Sequence, residues 1–268
     1  MNSRMRFLLA SVLLAAATAV FAAESGPRLE PAPVTGAADI QASLQRGARN
    51  FANYCLNCHS AQYMRYNRLR DIGLSEQQIA DNLMFATDKV GNTMTVAMSK
   101  VDAQNWFGAA PPDLTVEARV RGRDWLYSYL LGFYRDEKTA TGWNNLVFPN
   151  VAMPHVLWSL GGTQKLVETT YEDREQAEAA MVSTRGLVEM ERQGEHKYVV
   201  KTLAVDIPGS LSNADYRVFV DDTVNYMDYM AEPVKMHRIN LGIMVLLYLA
   251  VLFVFAYVLK RSYWKDIH

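Results

Sequence analysis

Two cysteines and a histidine in one short run are the residues of this sequence best suited to chemistry. Cys55, Cys58 and His59 form a C-x-x-C-H motif, the spacing that attaches a haem in c-type cytochromes. Each thiol can form a thioether to one haem vinyl group, and the adjacent imidazole can ligate the iron. A redox-active or structural C-x-x-C pair with an incidental histidine is the alternative. Because the motif occurs once, the sequence predicts one covalently bound haem c.

An electron-transfer haem also needs a second axial ligand, and a methionine thioether suits a high reduction potential. Met153 lies in an irregular segment between two prolines, where the chain could fold back over the opposite haem face. His155 is the rival ligand, and a plain core methionine is the third possibility, so spacing alone leaves the choice open. For Met227 and Met230, on a predicted helix, we expect core packing. Three further methionines lie in a moderately apolar stretch: Met84, Met94 and Met98.

Haem propionates are anions, and an arginine can hold them through bidentate hydrogen bonds. Arg119 and Arg121 are the candidates, because they closely follow the turn that contains Pro111 and Pro112. An exposed helix face explains these arginines equally well.

Three predicted helices must position these residues. The apolar period over Ile40–Tyr54 predicts a helix that runs into the cysteine motif. A second helix is expected near Asp124–Phe133, and a third over Ala214–Met230 with Ser212 or Asn213 as its N-cap. The second helix can place four side chains on one face: Trp125, Tyr129, Leu130 and Phe133.

The segments between the helices predict ordered loops and a small hairpin. Ser99–Pro112 and Thr139–Pro154 are rich in Gly, Pro, Asn and aromatic residues, and loops of this length are usually functional. Imperfect alternation over Leu187–Leu203, around Gln193-Gly194, predicts a β-hairpin. The expected fold class is therefore mainly α, a cytochrome c-type haem domain with long ordered loops and a small β-hairpin insertion, plus one C-terminal transmembrane helix.

The first residues predict export from the cytoplasm. Arg4 and Arg6 precede the apolar run Phe7–Phe21, and small residues follow it. This is the layout of a secretory signal peptide, which we assign to residues 1–22. With cleavage after Ala22 the mature chain begins at residue 23, outside the cytoplasm, and cleavage after Ala23 is the alternative.

An apolar segment near the C-terminal end predicts a membrane anchor. Ile239–Leu259 contains no charged residue and is long enough to cross a hydrocarbon core of roughly 30 Å as a helix. We expect a transmembrane helix over 237–260 and a cytoplasmic tail over 261–268. Basic residues flank the span on both sides, so the orientation follows from the signal peptide, which exports everything before the span. Residues 23–236 then form an exported haem domain held at a lipid membrane.

The charge of the chain bears on its partners. A formal net charge of −1 gives no reason to expect nucleic acid. A run of acidic residues could steer a basic electron acceptor, but a solvated helix face is the commoner explanation and the one that we favour. The run consists of Glu168, Glu172, Asp173, Glu175 and Glu178.

With these motifs in view, the sequence resembles the cytochrome c1 family, the haem subunits of ubiquinol:cytochrome c oxidoreductase, or cytochrome bc1. The resemblance covers nearly all of the mature chain. Four segments carry it: Cys58-His59-Ser60 with Tyr63, Tyr66 and Leu69 at the family's spacing; Gly108–Leu114, similar to the family's G-A-x-P-P-D-L; Ala152-Met153-Pro154, at the methionine loop; and Ala231-Glu232-Pro233, before the anchor.

The resemblance implies roles for several residues. Met153 becomes the second axial ligand beside His59, Arg121 a propionate partner, and Pro111 and Pro112 part of the wall around the haem. His155 stands where many relatives have a proline-rich run, so the family does not explain it. The region from 171 to 205 has the character of an insertion.

The resemblance also implies partners and a location. A Rieske iron-sulfur protein would reduce the haem, a cytochrome c would accept the electron, and a cytochrome b subunit would carry out the quinol chemistry. The chain would make and break no substrate bonds itself. It would span a bacterial inner membrane once, with the haem domain in the periplasm. Two other functions remain: a membrane-tethered donor to a terminal oxidase, and a haem-based sensor with an open sixth position.

Overall fold

A computed structural model describes residues 26–36, 38–194 and 196–265, so the predicted signal peptide over 1–22 lies outside the described residues. The α-helices are α1 Ile40–Tyr54, α2 Glu76–Leu83, α3 Lys100–Phe107, α4 Glu117–Arg121, α5 Arg123–Leu131, α6 Trp158–Gly161, α7 Arg174–Ser183, α8 Asn213–Ala231 and α9 Lys235–Tyr263. A 3₁₀-helix covers Tyr66–Ile72. The strands are β1 Ala61–Arg65, β2 Thr93–Met94, β3 Phe133–Arg135, β4 Trp143–Asn145, β5 Thr163–Tyr171, β6 Val188–Arg192 and β7 Tyr198–Ile207.

The helices α1 and α8 form the centre of the domain, and their packing holds the C-x-x-C-H motif in place. Phe51 of α1 and Tyr226 of α8 are fully buried, with ring centroids 5.5 Å apart. Arg46 of α1 donates two hydrogen bonds, of 2.6 and 2.8 Å, to the carboxylate of Asp222 on α8. The first and third predicted helices are present: α1 ends directly at Cys55, and Ser212 caps α8 by accepting a hydrogen bond from the Asp215 amide. The second is present as α5, but it ends at Leu131, and Phe133, which was expected on its apolar face, lies on β3 instead.

Gly47 lets the backbones of α1 and α8 approach closely. A Cβ at this position would overlap the carbonyl group of Asp222 and the Cβ of Tyr226. Because backbone atoms cannot move aside as a flexible side chain can, the two helices would have to separate.

We expect Gly47→Ala to lower the free energy of unfolding of the haem domain by about 1–3 kcal/mol, the usual cost of overpacking. Chemical denaturation of the purified protein, followed by circular dichroism, would measure the change. Gly91→Ala is the matched control, because a Cβ at Gly91 meets nothing within 4 Å. Equal free energies of unfolding for the two variants would show that α1 and α8 can accommodate a Cβ at position 47 without loss of stability.

The predicted hairpin is present as β6 and β7, but it belongs to a larger unit. β7 lies between β5 and β6 in a three-stranded antiparallel sheet, and α7 packs on this sheet through the buried Ala177, Val188 and Val200. The sequence analysis did not predict β5, and it indicated α7 only as a charged helix face. β5 pairs with a strand almost thirty residues away along the chain, and such pairing leaves no local signal.

The prediction of a loop over Ser99–Pro112 is wrong for its first half, which forms α3. Ser99 caps this helix by accepting a hydrogen bond from the Asp102 amide, and Gly108 ends it in the left-handed conformation with φ 74°. These are ordinary helix start and stop signals. The sequence analysis assigned the segment to a loop because of its Gly, Pro, Asn and aromatic residues and did not use these signals. Thr139–Pro154 contains the short strand β4 and is otherwise irregular, as predicted.

The acidic residues at the start of α7 have local structural roles. Asp173 caps the helix by accepting a hydrogen bond of 3.1 Å from the Glu175 amide, and Glu178 pairs with Arg174 at 2.6 Å. Both side chains of this ion pair are substantially exposed. For Asp173, Glu175 and Glu178 the contacts agree with the solvated helix face that the sequence favoured, whereas Glu168 of the same acidic run lies on the strand β5.

The last helix, α9, carries the predicted anchor. Its segment Arg238–Tyr263 is the one stretch among the described residues that is long and apolar enough to cross a membrane. Its large apolar side chains are exposed rather than packed against the domain. A helix that is apolar all round and unburied is suited to a lipid environment.

Candidate haem site

A cavity of about 360 Å³ lies beside the C-terminal end of α1. Most of its wall is apolar, with side chains from α5, α8 and the segment that precedes α6. All seven residues that the sequence analysis assigned to the site line this wall: Cys55, Cys58, His59, Pro111, Pro112, Arg121 and Met153. The fold thus brings together residues that are almost one hundred positions apart.

A backbone carbonyl group fixes the His59 ring through one of its two nitrogens. Its Nδ1 lies 2.8 Å from the carbonyl oxygen of Pro112, so Nδ1 donates and Nε2 remains free to act as a ligand. Burial lowers the pKa of His59, and the hydrogen bond to Pro112 opposes that effect. Pro112 therefore both lines the wall and fixes the tautomer of the imidazole.

The two cysteines are separate thiols on the same wall of the cavity. Burial raises the pKa of Cys55 to about 12, which keeps this thiol neutral at ordinary pH. The turn that follows α1 places both residues, because the amides of Cys58 and His59 donate to the carbonyl oxygen of Cys55 at 3.1 and 2.9 Å.

Met153 and His155 both pack near Phe133 and Trp143, but only Met153 of the two lines the cavity. Met153 lines the cavity, and its sulfur accepts a hydrogen bond of 3.4 Å from the hydroxyl of Tyr129. The buried ring of His155 instead stacks on Phe133, with centroids 4.9 Å apart, and meets the edge of Trp143 at 5.1 Å. Burial lowers the pKa of His155 to about 4, so it is a neutral member of an aromatic cluster.

The two candidate arginines are also separated. Arg121 lines the cavity, where its guanidinium lies 4.8 Å from the ring centroid of Trp125 and 3.2 Å from a carboxylate oxygen of Glu117. Arg119 is more exposed and faces Glu232 at 3.8 Å. Of the two, Arg121 is the one with access to a group bound in the cavity.

Several wall residues escaped the sequence analysis. Phe107, at the end of α3, was assigned to a loop. Met227 of α8 is buried in the core, as predicted, and it lines the cavity as well. Tyr129 was predicted to share a helix face with Trp125, and the two rings stack 5.0 Å apart. Helical spacing was the signal available for Tyr129, although spacing does not reveal what the shared face contacts.

The chemistry of the wall fits a covalently bound haem. It combines two thiols, an imidazole with a free Nε2 and a thioether in an otherwise mostly apolar cavity, which are the groups that such a cofactor requires. A sequence model described as the Cytochrome C1 family matches residues 33–184 and 212–267. The chain belongs to the cytochrome c1 family.

Two curated relatives cover almost the whole chain. Cytochrome c1 of Allochromatium vinosum is 42% identical over 266 residues, which are 98% of this chain and 99% of that protein. The ammonia monooxygenase gamma subunit of Nitrosomonas europaea is 43% identical over 263 residues, 98% of each chain. Cytochrome c1 of Rhodospirillum rubrum is 26% identical over 250 residues, which are 85% of this chain and 82% of that one.

Membership of the cytochrome c1 family has direct consequences. The chain is a haem electron-transfer subunit of a bc1-type complex, it carries one covalently attached haem c, and it is anchored in a membrane. The family match does not include residues 185–211, which contain β6 and β7. Most of this hairpin lies within the 171–205 region that the sequence analysis described as an insertion, whereas residues 171–184 belong to the matched family segment, so the predicted insertion begins too early.

Proposed function

We propose that this cytochrome c1 takes electrons from a Rieske iron-sulfur protein and delivers them to a cytochrome c, beside a cytochrome b subunit. Membership of the cytochrome c1 family supports these partners. The observation that supports the haem is the shared cavity, in which residues from the C-x-x-C-H motif and from the Met153 segment face one space. When bound, haem c supplies a one-electron iron couple. The chain's residues hold that cofactor and exclude water from it.

Cys55 and Cys58 are proposed to hold the cofactor through two thioether bonds, and His59 to ligate the iron through Nε2. The hydrogen bond from Nδ1 to the carbonyl oxygen of Pro112 supports the last assignment, because metal-bound histidines usually donate their other ring N–H to such an acceptor. Pro111 and Pro112 then form part of the wall beside the cofactor.

Met153 is proposed as the second axial ligand. The support is that its side chain lines the cavity, whereas the rival His155 stacks on Phe133, contacts Trp143 edge to face and does not line the cavity. Arg121 is proposed to pair with a propionate. Its position on the wall and its planar guanidinium suit that role, and Glu117 holds one of its edges.

The orientation in the membrane is also part of the proposal. Cleavage of the signal peptide over 1–22 would leave the haem domain, 23–236, in the periplasm of a bacterium. The anchor over 237–260 would cross the inner membrane, with the tail over 261–268 in the cytoplasm. In the structure α9 continues to Tyr263, so the first tail residues belong to the same helix.

Gentle purification from membranes tests these partners. We expect mass spectrometry to identify a cytochrome b and a Rieske protein with the chain, and quinol to reduce its haem. An inhibitor that blocks quinol oxidation should abolish that reduction, while a chemical reductant should still reduce the haem. Copurification with a terminal oxidase, or with the other subunits of an ammonia monooxygenase, would contradict the proposal. Carbon monoxide binding by the reduced wild-type protein would instead favour a haem-based sensor.

A further inference from the structure

The Tyr129 side chain is fixed in position on the cavity wall. Its ring stacks on Trp125, with centroids 5.0 Å apart and an interplanar angle of 9°. It also forms a T-shaped contact with Phe133, with centroids 5.2 Å apart and an interplanar angle of 71°. Its backbone carbonyl oxygen accepts a hydrogen bond of 2.8 Å from the Asn145 side chain. Aromatic contacts on two sides and an anchored backbone leave the hydroxyl little freedom to move.

That hydroxyl is directed at the sulfur of Met153, 3.4 Å away. A thioether sulfur is a weak hydrogen-bond acceptor with two lone pairs, so it can bind a metal through one and accept a hydrogen bond through the other. The methionine side chain has three rotatable bonds and adapts easily to its surroundings. A donor held by two rings therefore restricts where the Met153 sulfur can lie.

We propose that Tyr129 is a positioning residue that orients the Met153 sulfur and raises the reduction potential of the iron bound to it. The inference rests on the proposed function, in which Met153 is the second axial ligand. A hydrogen bond to the sulfur withdraws electron density from it and makes it a poorer electron donor. Oxidised iron depends more on that donation than reduced iron does, so the hydrogen bond raises the reduction potential. Removal of the hydroxyl should reverse both effects.

Tyr129→Phe is the test, because it keeps the ring and its stacking on Trp125 while removing the donor. At a fixed ambient potential near the midpoint, we expect the ratio of oxidised to reduced protein to rise roughly threefold to tenfold, in line with the modest net strength of a single hydrogen bond. A tenfold change corresponds to about 59 mV for one electron. The methionine-to-iron charge-transfer band of the oxidised protein should move or weaken, and the haem should stay attached.

Tyr216→Phe is the matched control. Tyr216 is a buried tyrosine whose hydroxyl donates to the carbonyl oxygen of Leu130 at 3.3 Å rather than to Met153. The control should leave the potential and the charge-transfer band unchanged. If Tyr129→Phe matches the wild type, or if both variants shift equally, the role of Tyr129 is wrong while the ligand assignment stands. If the wild type itself has no methionine-to-iron band, the ligand assignment and this inference both fail.

Discussion

Met153→Leu is expected to leave the haem covalently attached and to lower its reduction potential by on the order of 0.2 V, since axial ligands set haem potentials over a wide range. A thioether ligand favours reduced iron, and leucine has no lone pair to replace it. Leucine and methionine have similar volumes, so the domain should lose little stability. A redox titration followed in the visible spectrum measures the shift, and the reduced variant should bind carbon monoxide.

Two further variants make this prediction specific. Met227→Leu changes the other cavity-lining methionine that the sequence had assigned to the core, and it should leave the potential nearly unchanged. His155→Leu removes the rival imidazole from its stack with Phe133 and should preserve the spectrum. An unaltered titration of Met153→Leu would remove Met153 from the site. A large shift in one of the other variants would identify the residue that replaces it.

The choice between Met153 and His155 shows what the sequence could and could not establish. Both residues lie in one irregular segment, two positions apart, and both are chemically suitable ligands. Spacing along the chain does not specify which side chain turns towards the cysteine motif. The structure separates them because Met153 lines the cavity, whereas His155 packs against the rings of Phe133 and Trp143 and does not reach the cavity wall.

The helices around the site were more predictable than the sheet. α1 and α8 each have an apolar period that defines a buried face, and Ser212 marks the start of α8 as expected. The strand β5 was missed because its register is set by β7, a distant partner. Local pattern is therefore informative where a segment makes its own hydrogen bonds, and less so where another segment supplies them.

The same distinction applies to the wall of the cavity. The C-x-x-C-H motif is local, so its chemistry could be predicted from consecutive residues. The acceptor for His59 Nδ1 is the carbonyl oxygen of Pro112, more than fifty positions away, and a backbone carbonyl has no signature in a sequence. The hydrogen bond from Tyr129 to Met153 is equally hidden, although helical spacing had already paired Tyr129 with Trp125.

Replacing both cysteines with serine is expected to abolish covalent attachment of haem completely. Cys55 and Cys58 are the two thiols of the sequence, and both line the cavity, so no other side chain can form a thioether. Each single variant, Cys55→Ser or Cys58→Ser, should retain one such bond and an altered visible spectrum. Haem staining after denaturing electrophoresis, together with the intact mass, distinguishes two bonds or one from none.

Asn57→Ser is the matched control, because it lies between the cysteines, is exposed, and leaves both sulfurs unchanged. It should carry a full complement of covalent haem. The alternative use of the pair, a disulfide or a redox-active dithiol, predicts a different result: the wild-type protein would be isolated without haem, with its thiols free or joined. The double variant would then differ from the wild type in its thiol content and not in its colour. Covalent haem in the wild type and none in the double variant excludes that alternative, since a disulfide leaves no sulfur available for a thioether.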